Sequence, residues 1–150
     1  MGMRIVTRLK YQDKLSGLAD CPPSDCAERH APLFRFVRQN LQDARNFQPP
    51  AVQNPARKFL GDAACCSSYA LSFFETPEAA RSRYDGIKRR HPGIHELLGT
   101  HLAEVAIQQE DGLLTMAKSR HVDLHEYEGV DLVPRARVVA QLFFEAAHGT

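Results

Sequence analysis

Three places in this sequence carry residue types that can do chemistry. The first is Arg35, the only charge in the run Leu33-Phe34-Arg35-Phe36-Val37. A guanidinium inside such a run must be paired or face a cleft, unless it lies on the solvated face of an edge strand. The second is Ser72, in Leu71-Ser72-Phe73-Phe74, just ahead of a helix start. A strand-to-helix junction exposes amides and the positive end of a dipole, which suits phosphate or another anion. The hydroxyl can equally bond a neighbouring strand. No G-x-S-x-G elbow surrounds Ser72, so nucleophilic serine chemistry has little support here. The third is His121 to Gly129, where four acidic residues fall between Asp123 and Asp131 with no Lys or Arg. On a strand, His121, Asp123, His125 and Tyr127 share one face, and Glu126 and Glu128 share the other. Two carboxylates on one face repel, which raises one pKa unless a cation stands near. Arg35 or the basic helix described below could supply that cation; the alternative is a solvated acidic edge.

The same acidic run invites a metal reading, since His and Asp are good divalent-metal ligands. His121 and His125 sit about 13 Å apart at Cα on a straight strand, too far to share one ion easily. His121 with Asp123 is feasible, but a third ligand must come from elsewhere, such as His101 or His95. No metal is expected. The four cysteines are Cys21, Cys26, Cys65 and Cys66. Their C-x4-C and C-C spacings suit structural zinc poorly. In a reducing cytosol they are expected as partly buried free thiols rather than disulfides.

The elements that must position these groups follow from local signals. Residues 3 to 9 alternate loosely and form a first strand or a short arm. Asp20 to Pro32 is a loop, because Pro22 and Pro23 remove donors and fix φ; Ser24 or Asp25 can cap a turn of helix through about Arg29. Leu33 to Val37 and Tyr69 to Phe74 read as strands. Gln39 to Phe47 reads as a short helix, and Pro49-Pro50 and Pro55 mark a long irregular connection of the kind often used as a binding loop or lid. Thr76-Pro77-Glu78 is a helix start with cap, first-turn proline and dipole-matched acid. Ala80, Tyr84 and Ile87 make its buried stripe, and Pro92-Gly93 stops it, so an amphipathic helix covers about 77–90. Ile94 to Leu98 adds one turn. Thr100 to Ile107 alternates as a strand, Asp111-Gly112 signals a turn into Leu113 to Met116 and suggests a hairpin, and His121 to Tyr127 alternates again. Arg135 to Phe144 is a strand or a helix, and 146–150 frays.

With 150 residues, the chain expects one domain, 1–150, of which 1–31 is a less regular arm and loop. Several strands and one long helix favour α+β with a mostly antiparallel or mixed sheet. Lys+Arg is 19 and Asp+Glu 18, so the net charge of +1 excludes a globally basic nucleic-acid binder and gives no general pull toward acidic membranes. No apolar run approaches a membrane span or a signal-peptide core, so a cytoplasmic protein without membrane attachment is expected. No GxGxxG or P-loop is present.

Arg35 on an early strand, Ser72 on a middle one and Glu126-Tyr127-Glu128 on a late one form a pattern that resembles the Arg-Ser-Glu class of the ADP-ribosyltransferase fold. That resemblance implies a small mixed α/β domain that binds NAD in a cleft and consumes it, by transfer or by glycohydrolysis. It implies that Arg35 and Ser72 bind NAD, that Glu128 is catalytic and that Glu126 helps activate the acceptor. A fixed carboxylate there would stabilise the positive sugar formed as the nicotinamide–ribose bond breaks. The serine strand departs from the family's Ser-Thr-Ser.

The competing reading is a small non-enzymatic binding or regulatory protein. A basic helix around Arg81 to Arg90 and an acidic segment around Asp123 to Asp131 favour a charged protein partner or self-association. Nucleic acid is not an expected partner, because Arg81, Arg83, Lys88, Arg89 and Arg90 lack interleaved aromatics beyond Tyr84.

Overall fold

Six short strands with alternating apolar residues build one antiparallel sheet in the computed structural model, which describes residues 8–145. Along the chain come α1 (Gln12–Leu15), β1 (Ala31–Val37), α2 (Pro50–Gln53), α3 (Asp62–Ser68) and β2 (Leu71–Phe74). They are followed by α4 (Pro77–Arg90), α5 (His95–Leu98), β3 (His101–Ile107), β4 (Gly112–Leu114), β5 (His121–Glu126) and β6 (Ala136–Gln141). The strand order across the sheet is β4-β5-β2-β1-β3-β6, and every pairing is antiparallel. The α+β expectation and the helix over 77–90 agree with this architecture.

Period-two alternation gives the sheet two apolar faces. One face carries Phe34, Phe74, Leu102 and Leu142 and is covered by Ala80 and Tyr84 of α4. Phe36 packs beside Phe74 and edge-on to Tyr84, and the Tyr84 hydroxyl donates to the Gly99 carbonyl at 2.8 Å. The other face carries Leu33, Val37, Leu71, Phe73, Val105, Val122 and Leu124, covered in part by Leu41, Phe47, Val130 and Leu132. α4 begins as its sequence dictates: Thr76 Oγ1 accepts from the Ala79 amide, and Pro77 fills the first turn.

Four local expectations are corrected. Gln39–Phe47 is not an α-helix; only Ala44–Phe47 forms a 3-10 turn. The Asn46 side chain is the reason, since it bonds the Arg38 amide and the carbonyls of Arg38 and Asn40 and so competes with helical backbone pairing. No helix follows Ser24 or Asp25; Ala27 instead bridges Leu114. Asp111-Gly112 does not fold β4 back on β3. β4 pairs with β5, and Gly112 (φ 153°) is needed for close approach, because a Cβ there would stand 2.2 Å from the His125 carbonyl oxygen. The reversal between β4 and β5 is instead made by Ser119 and Arg120, both left-handed at φ 51° and 65°. Finally, Cys21 and Cys66 are joined, their Cα atoms brought to 5.6 Å across 45 residues of sequence, while Cys26 and Cys65 are free. Folding, not spacing, creates that bridging distance.

Arg135 to Phe144 resolves as strand β6 over Ala136–Gln141. The arm expected at 3–9 lies outside the described residues except for Arg8 and Leu9, and Leu9 bridges Tyr127. No helix among the described residues is long and apolar enough to cross a membrane.

Candidate functional site: a cationic cavity beside a split in the sheet

The site begins at a seam. β1 pairs along its whole length with β3, yet it meets β2 only at Phe34 and Phe74. Beyond that pair the strands part, and the Arg35 side chain fills the gap. Its Nε donates to the Asn46 carbonyl at 2.7 Å, Nη1 to the Ser72 carbonyl at 2.9 Å and Nη2 to the Gln48 carbonyl at 3.5 Å. The bond to Ser72 satisfies a strand carbonyl that a closed ladder would have paired, and the other two tie the 46–48 connection to β1. β1 is an interior strand and Arg35 is 8% exposed, so the solvated-edge alternative is overturned. Burial pushes the Arg35 pKa down to about 10, opposed by the charge of Glu126.

Above the seam, on the α4 side, lies a cavity of about 1000 Å³. Its charged lining consists of Arg35, Arg38, Arg45, Arg57, Arg83 and Lys118, with no Asp or Glu. Arg45 is paired with Asp43, but Arg38, Arg57, Arg83 and Lys118 have no carboxylate partner among the described residues. Phe36, Phe74, Ile87, Leu97 and Leu98 give the cavity an apolar wall. The Pro-rich connection forms one side of it, through Gln48, Pro50, Gln53, Asn54 and Arg57. At the start of α4 the Ala79 amide is already bound by Thr76 and is not free for an anion.

Ser72 and His121 stand together on this lining. Ser72 pairs with Asp123 in the β2–β5 register, and Phe74 pairs with His121, so His121 is the diagonal neighbour of Ser72 on one face. Ser72 Oγ lies 2.5 Å from His121 Nε2, and Asp123 Oδ1 lies 3.6 Å from the same nitrogen. The Phe74 ring sits edge-on to the imidazole at 5.4 Å. Asp123 is further fixed by Ser67, whose hydroxyl donates to Oδ2 at 2.9 Å.

Glu126 and Glu128 lie elsewhere. Glu126, three residues beyond Asp123, leaves β5 on the opposite face. It is 4% exposed; Lys10 Nζ donates to Oε2 at 3.1 Å, while Oε1 is buried without a partner. Burial raises the Glu126 carboxyl pKa, and Lys10 and Arg35 pull it down. The cation that faces it most closely is thus Lys10, not Arg35 or the basic helix. Glu128 is exposed on the turn after β5, 3.6 Å from Arg8. Neither carboxylate lines the cavity, whereas Arg35 and Ser72 both do. His125 is buried 3.9 Å from the disulfide sulfur of Cys66, and burial lowers its pKa. Among the described residues no group of three His, Cys, Asp or Glu is placed to hold a metal ion.

No protein-family profile, curated protein or solved structure matches this chain. The sequence reading singled out Arg35 and Ser72 but missed Arg38, Arg45, Arg57 and Lys118. Each lies on a connection or turn, where charge is unremarkable until the fold gathers it. The pairing of Ser72 with His121 needed only a register, for the two already stood on strands with suitable faces.

Proposed function

We propose that this protein binds a phosphate-bearing ligand of nucleotide size in the cationic cavity, with NAD as the specific candidate that the ADP-ribosyltransferase resemblance supplies. The observation that carries the reading is the lining: six cations, no carboxylate, and an apolar wall around about 1000 Å³. Four of the six have no carboxylate partner among the described residues; such cations around a void favour polyanions, and apolar walls accept a base or another flat group. Calorimetric titration with NAD and with inorganic pyrophosphate tests it. Both should bind, more weakly as salt rises, and Lys118→Ala should lose about tenfold, the worth of one charge-assisted contact. Absence of binding by either ligand overturns the reading.

A second reading keeps the NAD-consuming step. It is favoured by Arg35 and Ser72, which come from separate strands to one cavity. It requires Glu128 and Glu126 to act from outside the lining. NAD loss on incubation, abolished in Glu128→Gln, is its expected result; equal loss in that variant removes it.

A further inference from the structure

The cavity holds a pair of groups that ligand binding alone does not use. Ser72 Oγ and His121 Nε2 are 2.5 Å apart, within the reach at which a base takes a hydroxyl proton. Both are partly exposed and both line the void. The hydroxyl is not committed to the backbone of its own strand. The imidazole is set by the Phe74 edge and by the Lys118–His121 bridge, where each backbone amide bonds the other's carbonyl at 2.9 Å. Asp123 Oδ1 stands 3.6 Å from the nitrogen that would receive the proton, so a carboxylate faces the charge as it forms. This is a nucleophile and a base, with a carboxylate beside the accepting nitrogen rather than behind the ring. The arrangement is recognised by geometry and needs no elbow motif.

We infer that Ser72 is a nucleophile activated by His121, acting on a carboxylic ester of a phosphate-bearing alcohol held in the cavity. The class of ester rests on the binding reading above; the nucleophile does not. Cations grip the phosphates, and the wall of Phe36, Phe74 and Ile87 takes the acyl group. Ser72 Oγ forms a bond to the carbonyl carbon as its proton passes to His121 Nε2. The ester C–O bond then breaks, and the departing alcohol takes that proton. Water, deprotonated by the same nitrogen, attacks the acyl-serine, releases the carboxylic acid and returns the proton to Ser72. The net change is ester plus water to acid plus alcohol.

Diisopropyl fluorophosphate is the probe, because it is uncharged and needs no cation. Attack by Ser72 forms a P–O bond, expels fluoride and passes the proton to His121. Mass spectrometry of the digested protein should show one adduct, on Ser72, absent in Ser72→Ala. His121→Ala should slow labelling at least 100-fold, in line with the worth of a general base, and free imidazole should restore part of the rate. Circular dichroism melts of both variants show whether the fold survives. An adduct elsewhere, no adduct in folded wild-type protein, or labelling as fast in folded His121→Ala overturns the nucleophile. Pyrophosphate should protect Ser72 from the probe; labelling indifferent to pyrophosphate overturns the phosphate-bearing class of ester and leaves the nucleophile standing. Pyrophosphate binding without labelling does the reverse.

Discussion

The two sides of this sheet handle charge in opposite ways. On the α4 side, Arg38, Arg57, Arg83 and Lys118 surround an open cavity and have no carboxylate partner among the described residues. On the other side, each buried carboxylate has a cation of its own: Lys10 for Glu126, and Arg135, through two nitrogens, for Asp111. There the charges lock segments together. The Asp111 carboxylate also accepts the Gln108 amide, and Arg135 reaches the Ala106 carbonyl, so the pair ties the end of β3 to the approach to β6. Unpaired charge beside a void costs little, because water solvates it and a ligand can replace that water. Unpaired charge in a packed interior costs much more. On the binding proposal, the difference separates residues that would meet a ligand from residues that hold the fold.

That separation can be broken by substitution. Arg135→Ala leaves Asp111 buried without its cation, held only by the Gln108 amide, and should remove about 3–5 kcal/mol of stability in urea unfolding. If the loss is under about 1 kcal/mol, Asp111 is not held as the geometry implies. The Glu126 carboxyl should show itself next, through pH. Its folded pKa lies above its unfolded value, so the native state binds the extra proton and is favoured at low pH. Stability from this group is therefore lost as pH rises from about 4.5 through the raised folded value. Glu126→Gln should flatten that part of the pH–stability curve; an unchanged slope would show that Glu126 is not the group titrating there. A smaller effect is expected at the reversal before β5. Ser119 and Arg120 hold left-handed angles without being glycine or asparagine, and Arg120→Gly should raise stability by about 0.5–1 kcal/mol. Smallest of all, Arg83→Ala should move stability by no more than about 0.5 kcal/mol while weakening pyrophosphate binding. A large destabilisation there would erase the contrast between the two sides.

What could be read in advance was local. Thr76-Pro77-Glu78 starts α4 because cap, proline and acid act on neighbouring amides. Leu33 to Val37 and Leu71 to Phe74 are strands because their aromatic and apolar residues fit a pleated surface. Pairing was not local. Leu113 lies close in sequence to Ile107, yet β4 and β3 end up separated by three strands, since β5, β2 and β1 stand between them. The Cys21–Cys66 bond spans 45 residues, and nothing in the spacing marks those two cysteines over Cys26 and Cys65. The cavity was the least legible feature of all. Its cations come from β1, the 38–57 connection, α4 and the turn before β5, and only the packed chain brings those segments around one space.

Because β1 and β2 face each other at a single residue pair, the backbone of the sheet forms two three-stranded ribbons, β4-β5-β2 and β1-β3-β6, joined at that pair and by one guanidinium. A seam of that kind is where such a structure yields first. The Ser72 amide, on the β1 side, has no ladder to protect it, so deuterium should enter there well before it reaches the β1–β3 core, and whatever fills the cavity would act as a clasp across the seam.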